Sequence, residues 1–300
     1  MKATITIGGS ASGKSSWAKA HQKLNKNTAI VERDVIRAQV FATKRPSNEQ
    51  FSWSEWKWKW EDEVTALQKQ YMQRAARGGY DLIVSDTNLH KGRREALAAY
   101  LQTLGYNEVE YKNFPITYFE AVERDIARPN PVGPWVIAEQ QSKYLAEFGE
   151  KIEHDPNLSN VILVDLDGTA AKMANRGPFE WSKVGQDEPH EHVWAMIMGL
   201  AVAGSPPIFM SGRDSVCRED TMGWIMEHGA KWIPGVPFDL FMRPEGDNRA
   251  DTIVKRELFD AHIRGKFNVT LVIDDRPKVA QMWRELGLTV VQVGNPYIDF

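Results

Sequence analysis

The 300-residue sequence predicts two α/β domains in tandem, each a three-layer α/β/α sandwich around a mostly parallel sheet. Two observations carry this expectation. Short β-branched apolar runs alternate with helix-like stretches along the whole chain, the pattern of crossover-connected strands. Two of those runs, residues 3–7 (ATITI) and 161–169 (VILVDLDGT), end in turns rich in glycine or aspartate, one in each half. Continuous apolar runs of this kind fit strands covered on both faces. Further strands are expected at residues 29–33, 80–86, 206–212, 269–275 and 289–293, and a helix from Lys14 to His21. The polar, turn-rich stretch HDPNLSN, residues 154–160, reads as a linker. The expected domains are residues 1–154 and 160–300.

Composition narrows the class. Hydrophobic residues make up 42% and charged residues 26%, as in globular rather than disordered chains. No apolar run reaches the length of a membrane span, and the first residues show no apolar signal-peptide core. Cys217 is the single cysteine, which excludes an internal disulfide framework and any multi-cysteine metal site. A cytoplasmic protein is expected. The net charge of −3 is unevenly spread: 22 lysines and arginines face 20 acidic residues over 1–155, against 15 facing 20 over 156–300. A nucleic acid would therefore need a local basic groove rather than the overall field.

Gly8-Gly9-Ser10-Ala11-Ser12-Gly13-Lys14-Ser15 matches GxxxxGK[ST] after an expected strand and before an expected helix. Glycines let backbone N–H groups converge on phosphate oxygens, and the helix adds its positive end. Lys14 can reach the β- and γ-phosphates, and the hydroxyl of Ser15, followed by Ser16, can hold Mg²⁺. The chemistry implied is binding of ATP or another nucleoside triphosphate. Phosphoryl transfer to an acceptor also needs a group that positions and deprotonates a hydroxyl. Asp34, just past the second strand, fits that role; it equally fits a helix N-cap. Asp86 and Thr87, at the end of the third strand, suit binding of the acceptor, ordering of Arg37, or a polar turn with a cap. Arg124 and Arg128 are four residues apart; they suit either a developing phosphoryl charge or a solvated face with a Glu120–Arg124 pair. In the segment FSWSEWKWKW, Trp53, Trp56 and Trp60 fall on one helical stripe and Trp58 off it, which fits an aromatic core stripe or base stacking.

In the second half, Asp165-Leu166-Asp167-Gly168-Thr169 closes an apolar strand. The first carboxylate can attack phosphorus, and the second can protonate the leaving oxygen and then activate water. Ser211 can donate to a phosphate oxygen, Lys255 can offset the local negative charge, and Asp274-Asp275 can complete an Mg²⁺ site with Asp165 and Asp167. Arg176, Arg213 and Asp251 are further candidates for phosphate or substrate contacts, or for plain ion pairs.

With these motifs in this order, the chain resembles the bifunctional polynucleotide kinase–phosphatases of the T-even bacteriophage type. The carriers are GGSASGKSSWA, ERDVIR, SDTNL, the RxxxR pair, DLDGTAAKM, NRGPF, SGRD, EGDNRADTIVK and IDDR. The resemblance implies a P-loop kinase fold followed by a haloacid-dehalogenase-like phosphatase fold, with RNA and DNA ends as substrates, and a homo-oligomer, possibly a tetramer. It implies that Asp34 is the kinase base, that Arg37 contacts the acceptor strand with Asp86 and Thr87 in support, and that Arg128 contacts the donor phosphates. It also places Asp165, Asp167, Arg176, Arg213, Asp251, Lys255 and Asp275 in a phosphatase site. Ala11, Ala171 and the tryptophan-rich segment depart from the family pattern. Two other readings stand beside it: a small-molecule kinase fused to a small-molecule phosphatase, and a nucleotide-dependent interaction module without turnover.

Overall fold

The computed structural model describes residues 1–45 and 51–295, which form two compact units, Met1–Phe148 and Gly149–Phe300. In the first unit the chain runs β1 (Lys2–Ile7), α1 (Lys14–Leu24), β2 (Thr28–Val31), α2 (Arg33–Lys44), α3 (Glu61–Arg77), β3 (Asp81–Val84), α4 (Lys91–Thr103), β4 (Glu108–Asn113), α5 (Tyr118–Ile126) and α6 (Pro134–Phe148). Its sheet has the order β2-β3-β1-β4 with every pairing parallel. The central strand β1 is apolar and buried from Ala3 onward, as a strand covered on both faces must be. β4 was not expected from the sequence. Its residues EVEYKN alternate in charge, and it pairs on one side only, with β1.

The expected tryptophan helix is not present. Residues 51–57 form turns, a short 3₁₀ segment covers Trp58–Trp60, and α3 starts only at Glu61. Glu61, Asp62 and Glu63 occupy its first turn, where negative side chains face the positive end of the helix dipole. The aromatic packing survives without the helix. Phe51 meets Trp53, Trp56 and Phe41 at ring-centroid distances of 4.8, 5.5 and 5.6 Å, and Trp56 meets Trp60 at 5.3 Å. Trp56 is buried and its indole N–H has no hydrogen-bond partner. Truncation of Trp56 to alanine is therefore expected to cost about 3–5 kcal/mol, while phenylalanine keeps most of the stability. Urea melts of the two variants check the ranking, and equal losses would contradict it.

The second unit contains β5 (Ser159–Val164), β6 (Ala171–Lys172), β7 (Glu188–Pro189), α7 (Glu191–Val202), β8 (Pro207–Asp214), α8 (Arg218–Trp232), β9 (Asp239–Arg243), α9 (Asp251–His262), β10 (Phe267–Asp274), α10 (Pro277–Glu285) and β11 (Val290–Gln292). Its five-stranded sheet has the order β11-β10-β5-β8-β9, also parallel throughout, and β6 and β7 form a small antiparallel hairpin. One face of the sheet is covered by Trp194 and Trp224, the other by Phe259 and Trp283. Residues 154–160, the expected linker, are tied to this unit: the Asn268 side chain donates to the carbonyls of Asp155 and Leu158 and accepts from the Asp155 N–H. The units divide instead at Phe148–Gly149. In both units the strand ends carry the candidate site residues, as expected for open parallel sheets.

Candidate functional sites

The glycine loop of the first unit lines a cleft of about 680 Å³ that also takes in Glu32, Asp34, Arg37, Asp86, Thr87, Arg124 and Arg128. Gly8 leaves no room for a side chain, since a Cβ there would lie 2.7 Å from the Phe114 carbonyl oxygen. Ala11 adopts φ 60°, the left-handed region that disfavours any residue but glycine. The alanine that departs from the family pattern therefore sits at a strained turn. The N–H of Ser10 does not point freely at the cleft: it donates to Gln140 Oε1 of α6 at 2.6 Å. Lys14 donates to the Gly9 carbonyl and to Ser12 Oγ, and Ser15 donates to Glu32 Oε1 at 2.6 Å.

Burial pushes the Lys14 ammonium down to about 8, against smaller upward pulls from Asp34 and Asp86. A phosphate anion binds best while the ammonium is charged, that is, below this value. Nucleotide affinity is thus expected to be flat near neutral pH and to fall by up to about tenfold per pH unit above about 8. Titration calorimetry at increasing pH checks this, and an affinity unchanged up to about pH 9.5 would contradict it. The variant Lys14→Arg, which keeps its charge, should flatten the profile.

Away from the glycine loop, Arg37 is the organising group of the cleft. It donates to Asp34 Oδ1 at 2.6 Å and to Glu61 Oε1 at 2.8 Å, and its guanidinium lies 5.6 Å from the Trp53 ring centre. Glu61 also receives Arg33 at 2.7 Å. Burial alone would raise the Glu61 carboxyl, but Arg37 and Arg33 outweigh it and hold the group below its usual range. Asp34 is half exposed and makes no cap to the helix; its bond to Arg37 turns it toward the cleft.

Asp86 lines the cleft, but both its oxygens are occupied, one by the Arg33 N–H at 2.7 Å and the other by Gln68 at 2.6 Å. It braces the start of α2 rather than ordering Arg37, which Glu61 does. Burial pushes Asp86 up to about 6, with Arg33 and Gln68 opposing. Thr87 lies in the same wall, its carbonyl accepting the Gly8 N–H at 3.0 Å. Arg124 carries the expected pair with Glu120 and also reaches the Ala11 carbonyl at 3.5 Å. Arg128 lies past the end of α5, bonded to buried Asp125 at 3.2 Å. Both arginines nonetheless face the same cleft as the glycine loop.

In the second unit, Asp165, Asp274 and Asp275 bring carboxylate oxygens within 4.8 Å of one another. Lys255 donates to Asp165 Oδ1 at 2.7 Å and to Asp274 Oδ2 at 2.9 Å. Burial would lower the Lys255 ammonium, but the two aspartates hold it above its ordinary value. The same burial raises Asp165 well above the carboxylate range, with Lys255 opposing and Asp274 and Asp275 adding to the rise. Burial and then the crowding of carboxylates raise Asp165 and Asp275, and a cation among these oxygens would relieve that crowding; an all-oxygen donor set is what Mg²⁺ takes. The residues therefore fit the expected cation. Gly168, at φ 80°, lies against this cluster: a Cβ there would fall 2.0 Å from Asp275 Oδ2.

Asp167 does not join the three-carboxylate cluster. Its carboxylate is gripped by Arg176 at 2.6 Å and by Arg213 at 2.6 and 3.0 Å. Burial would raise it, but the two guanidiniums prevail and hold it below its ordinary value. Both arginines continue to buried Asp187, at 2.6 and 2.7 Å, so two positive and two negative groups close on one another. Asp187 had no signal in the sequence, because its partners come from other elements. Ser211 is buried and its Oγ accepts the Arg213 N–H at 3.1 Å. Asp251 opens α9 between Arg243, which no local pattern singled out, and Arg276, the last residue of the IDDR stretch.

Among family models, residues 159–297 match the polynucleotide kinase PNKP phosphatase domain and residues 4–144 match an AAA domain. A putative bifunctional polynucleotide kinase/RNA ligase of the Autographa californica nuclear polyhedrosis virus is 32% identical. That match takes in 99% of this chain, and the chain spans 43% of that relative's length. The relative is thus from a baculovirus rather than a bacteriophage. Chains of two solved Pnkp1/Rnl/Hen1 complexes, the second described as an RNA repair complex, match with 25% and 24% identity. They cover 97% and 99% of this chain and 96% and 97% of their own, at TM-scores of 0.44 and 0.46.

Proposed function

We propose, from the match of residues 159–297 to the polynucleotide kinase PNKP phosphatase domain and of residues 4–144 to an AAA domain, that the chain heals nucleic-acid ends. The first unit transfers the γ-phosphate of ATP to a 5'-hydroxyl of RNA or DNA, and the second removes a 3'-phosphate. The observation that carries this reading is the occurrence, in one chain, of a glycine-loop cleft holding Asp34 and Arg37 and of the Asp165–Lys255–Asp274–Asp275 cluster.

In the kinase step, Lys14, Arg124 and Arg128 hold the donor phosphates while Arg37 orients the acceptor. Asp34 takes the proton from the attacking hydroxyl. In the phosphatase step, Asp165 attacks phosphorus and the bond to the 3'-oxygen breaks, leaving an aspartyl-phosphate. Asp167 gives the leaving oxygen its proton and then takes one from the water that hydrolyses the acyl phosphate. Its arginine partners must loosen for that protonation, and an incoming phosphate dianion offers Arg176 and Arg213 an alternative partner. Lys255, bonded to Asp165 Oδ1 at 2.7 Å, favours the carboxylate form that attacks. Mg²⁺ bound by Asp165, Asp274 and Asp275 would neutralise charge that otherwise repels the substrate.

A strand carrying a 5'-hydroxyl and a 3'-phosphate, incubated with the protein, ATP and Mg²⁺ and weighed by mass spectrometry, tests the reading. Phosphate gained at one end and lost at the other supports it. Unchanged ends, with ATP bound and a small phosphate ester hydrolysed, would favour a small-molecule kinase–phosphatase. A viral relative is consistent with action in a host cytoplasm; no described helix is long and apolar enough to cross a membrane. The homo-oligomer implied by the family resemblance is tested by sedimentation, where a monomer at micromolar concentration would exclude it.

A further inference from the structure

Most of the tryptophan-rich segment is explained by packing, and Trp58 is not. Trp56 is buried, and Trp53 and Trp60 are partly buried against the core of the first unit. Trp58 is 75% exposed and, among the described residues, joins none of the ring contacts of the cluster. A large indole left in water between Lys57 and Lys59, both exposed, contributes nothing to the core. The segment is also anchored at the acceptor side of the kinase cleft, because Trp53 lies under the Arg37 guanidinium at 5.6 Å. Five residues of chain separate Trp53 from Trp58, a reach of at most about 18 Å. A strand of a few nucleotides leaving Arg37 spans that interval.

We propose that Trp58, Lys57 and Lys59 form a subsite for the acceptor polynucleotide downstream of its 5' end, with a nucleobase stacked on Trp58 and backbone phosphates near the two lysines. Aromatic faces beside cations are the sequence-tolerant way to hold a single strand. The basic side chains complement the phosphates, and Trp53, five residues before Trp58, packs against Arg37 of the cleft. The subsite rests on the polynucleotide kinase reading but adds to it a preference for single-stranded acceptors longer than one nucleotide. It also gives the segment's departure from the family pattern a purpose in substrate choice.

The test compares wild type with Trp58→Ala, Trp58→Phe and the double variant Lys57→Ala/Lys59→Ala. The first measurement is anisotropy of a dye-labelled single-stranded oligonucleotide without ATP. The second is kinase KM for that oligonucleotide and for a nucleoside 3'-monophosphate. Trp58→Ala should weaken binding and raise the oligonucleotide KM roughly tenfold, with the KM for the mononucleotide and kcat unchanged; Trp58→Phe should recover most of the loss. The double lysine variant should lower the salt dependence of binding. Wild-type affinity in Trp58→Ala, or an equal KM rise for both acceptors, would overturn the subsite. If the wild type binds the strand through Trp58 yet phosphorylates neither acceptor, the kinase reading fails and the subsite stands. If it binds no strand, the subsite fails whatever the kinase activity.

Discussion

Replacing Asp165 by asparagine should abolish the 3'-phosphatase, by at least ~10³-fold in kcat, and leave the kinase at its wild-type rate. The amide keeps the size of the carboxylate but cannot displace an oxygen from phosphorus, so no covalent intermediate forms. The variant is also expected to fold. Lys255 retains Asp274 at 2.9 Å, and the substitution removes a carboxylate whose ionisation burial and its two neighbouring aspartates already oppose. The melting temperature without metal should therefore be unchanged or raised, and this separates lost chemistry from lost structure. Activity of each end, measured on the same preparation by mass spectrometry, checks the prediction. Retained phosphatase activity would move the nucleophile to Asp275, the other cluster carboxylate beside Thr169.

The features that were legible in the sequence are those encoded locally. A strand, a glycine turn and a helix in direct succession announce the phosphate loop, and the apolar run into Asp165-Leu166-Asp167 announces the second strand end. The strands β4 and β9 were not legible: β4 (EVEYKN) interrupts its apolar residues with a charged or polar one at every other position, and β9 (DLFMR) has three apolar residues between two charged ones. The strand expected to run to Arg33 ends at Val31, since the Asp86 carboxylate collects the Arg33 N–H and starts a helix there. Glu61, Asp187 and Arg243 were invisible because each is one charged residue in an ordinary stretch. Folding alone sets Glu61 beside Arg37, 24 residues away, Asp187 beside two arginines, and Arg243 beside Asp251 and the Gly212 carbonyl. Asp167 is the opposite case: its place two residues from Asp165 suggested a metal ligand, and folding sets its carboxylate against Arg176 and Arg213.

The kinase should respond to Asp34→Asn with a loss of about 10²–10⁴-fold in kcat and no change at the 3' end. Asp34 is the carboxylate of the cleft that is both half exposed and held by a single cation, Arg37. Asp86 has both oxygens filled and cannot take a proton from a hydroxyl without giving up a bond; Glu32 is tied to Ser15 of the glycine loop, on the donor side of the cleft. An asparagine keeps a carbonyl for Arg37 to bond, so the acceptor site keeps its shape while losing its base. Stability should shift by no more than about 0.5 kcal/mol, as for other exposed positions, and the KM for ATP should stay within twofold or so, because Lys14, Arg124 and Arg128 are untouched. The contrast with Lys14→Ala is the discriminating one: that variant should lose nucleotide binding itself, by calorimetry, whereas Asp34→Asn should bind nucleotide normally and fail only in transfer. If Asp34→Asn transfers phosphate at the wild-type rate, deprotonation is not assisted by this residue, and positioning by Arg37 must supply the catalysis alone.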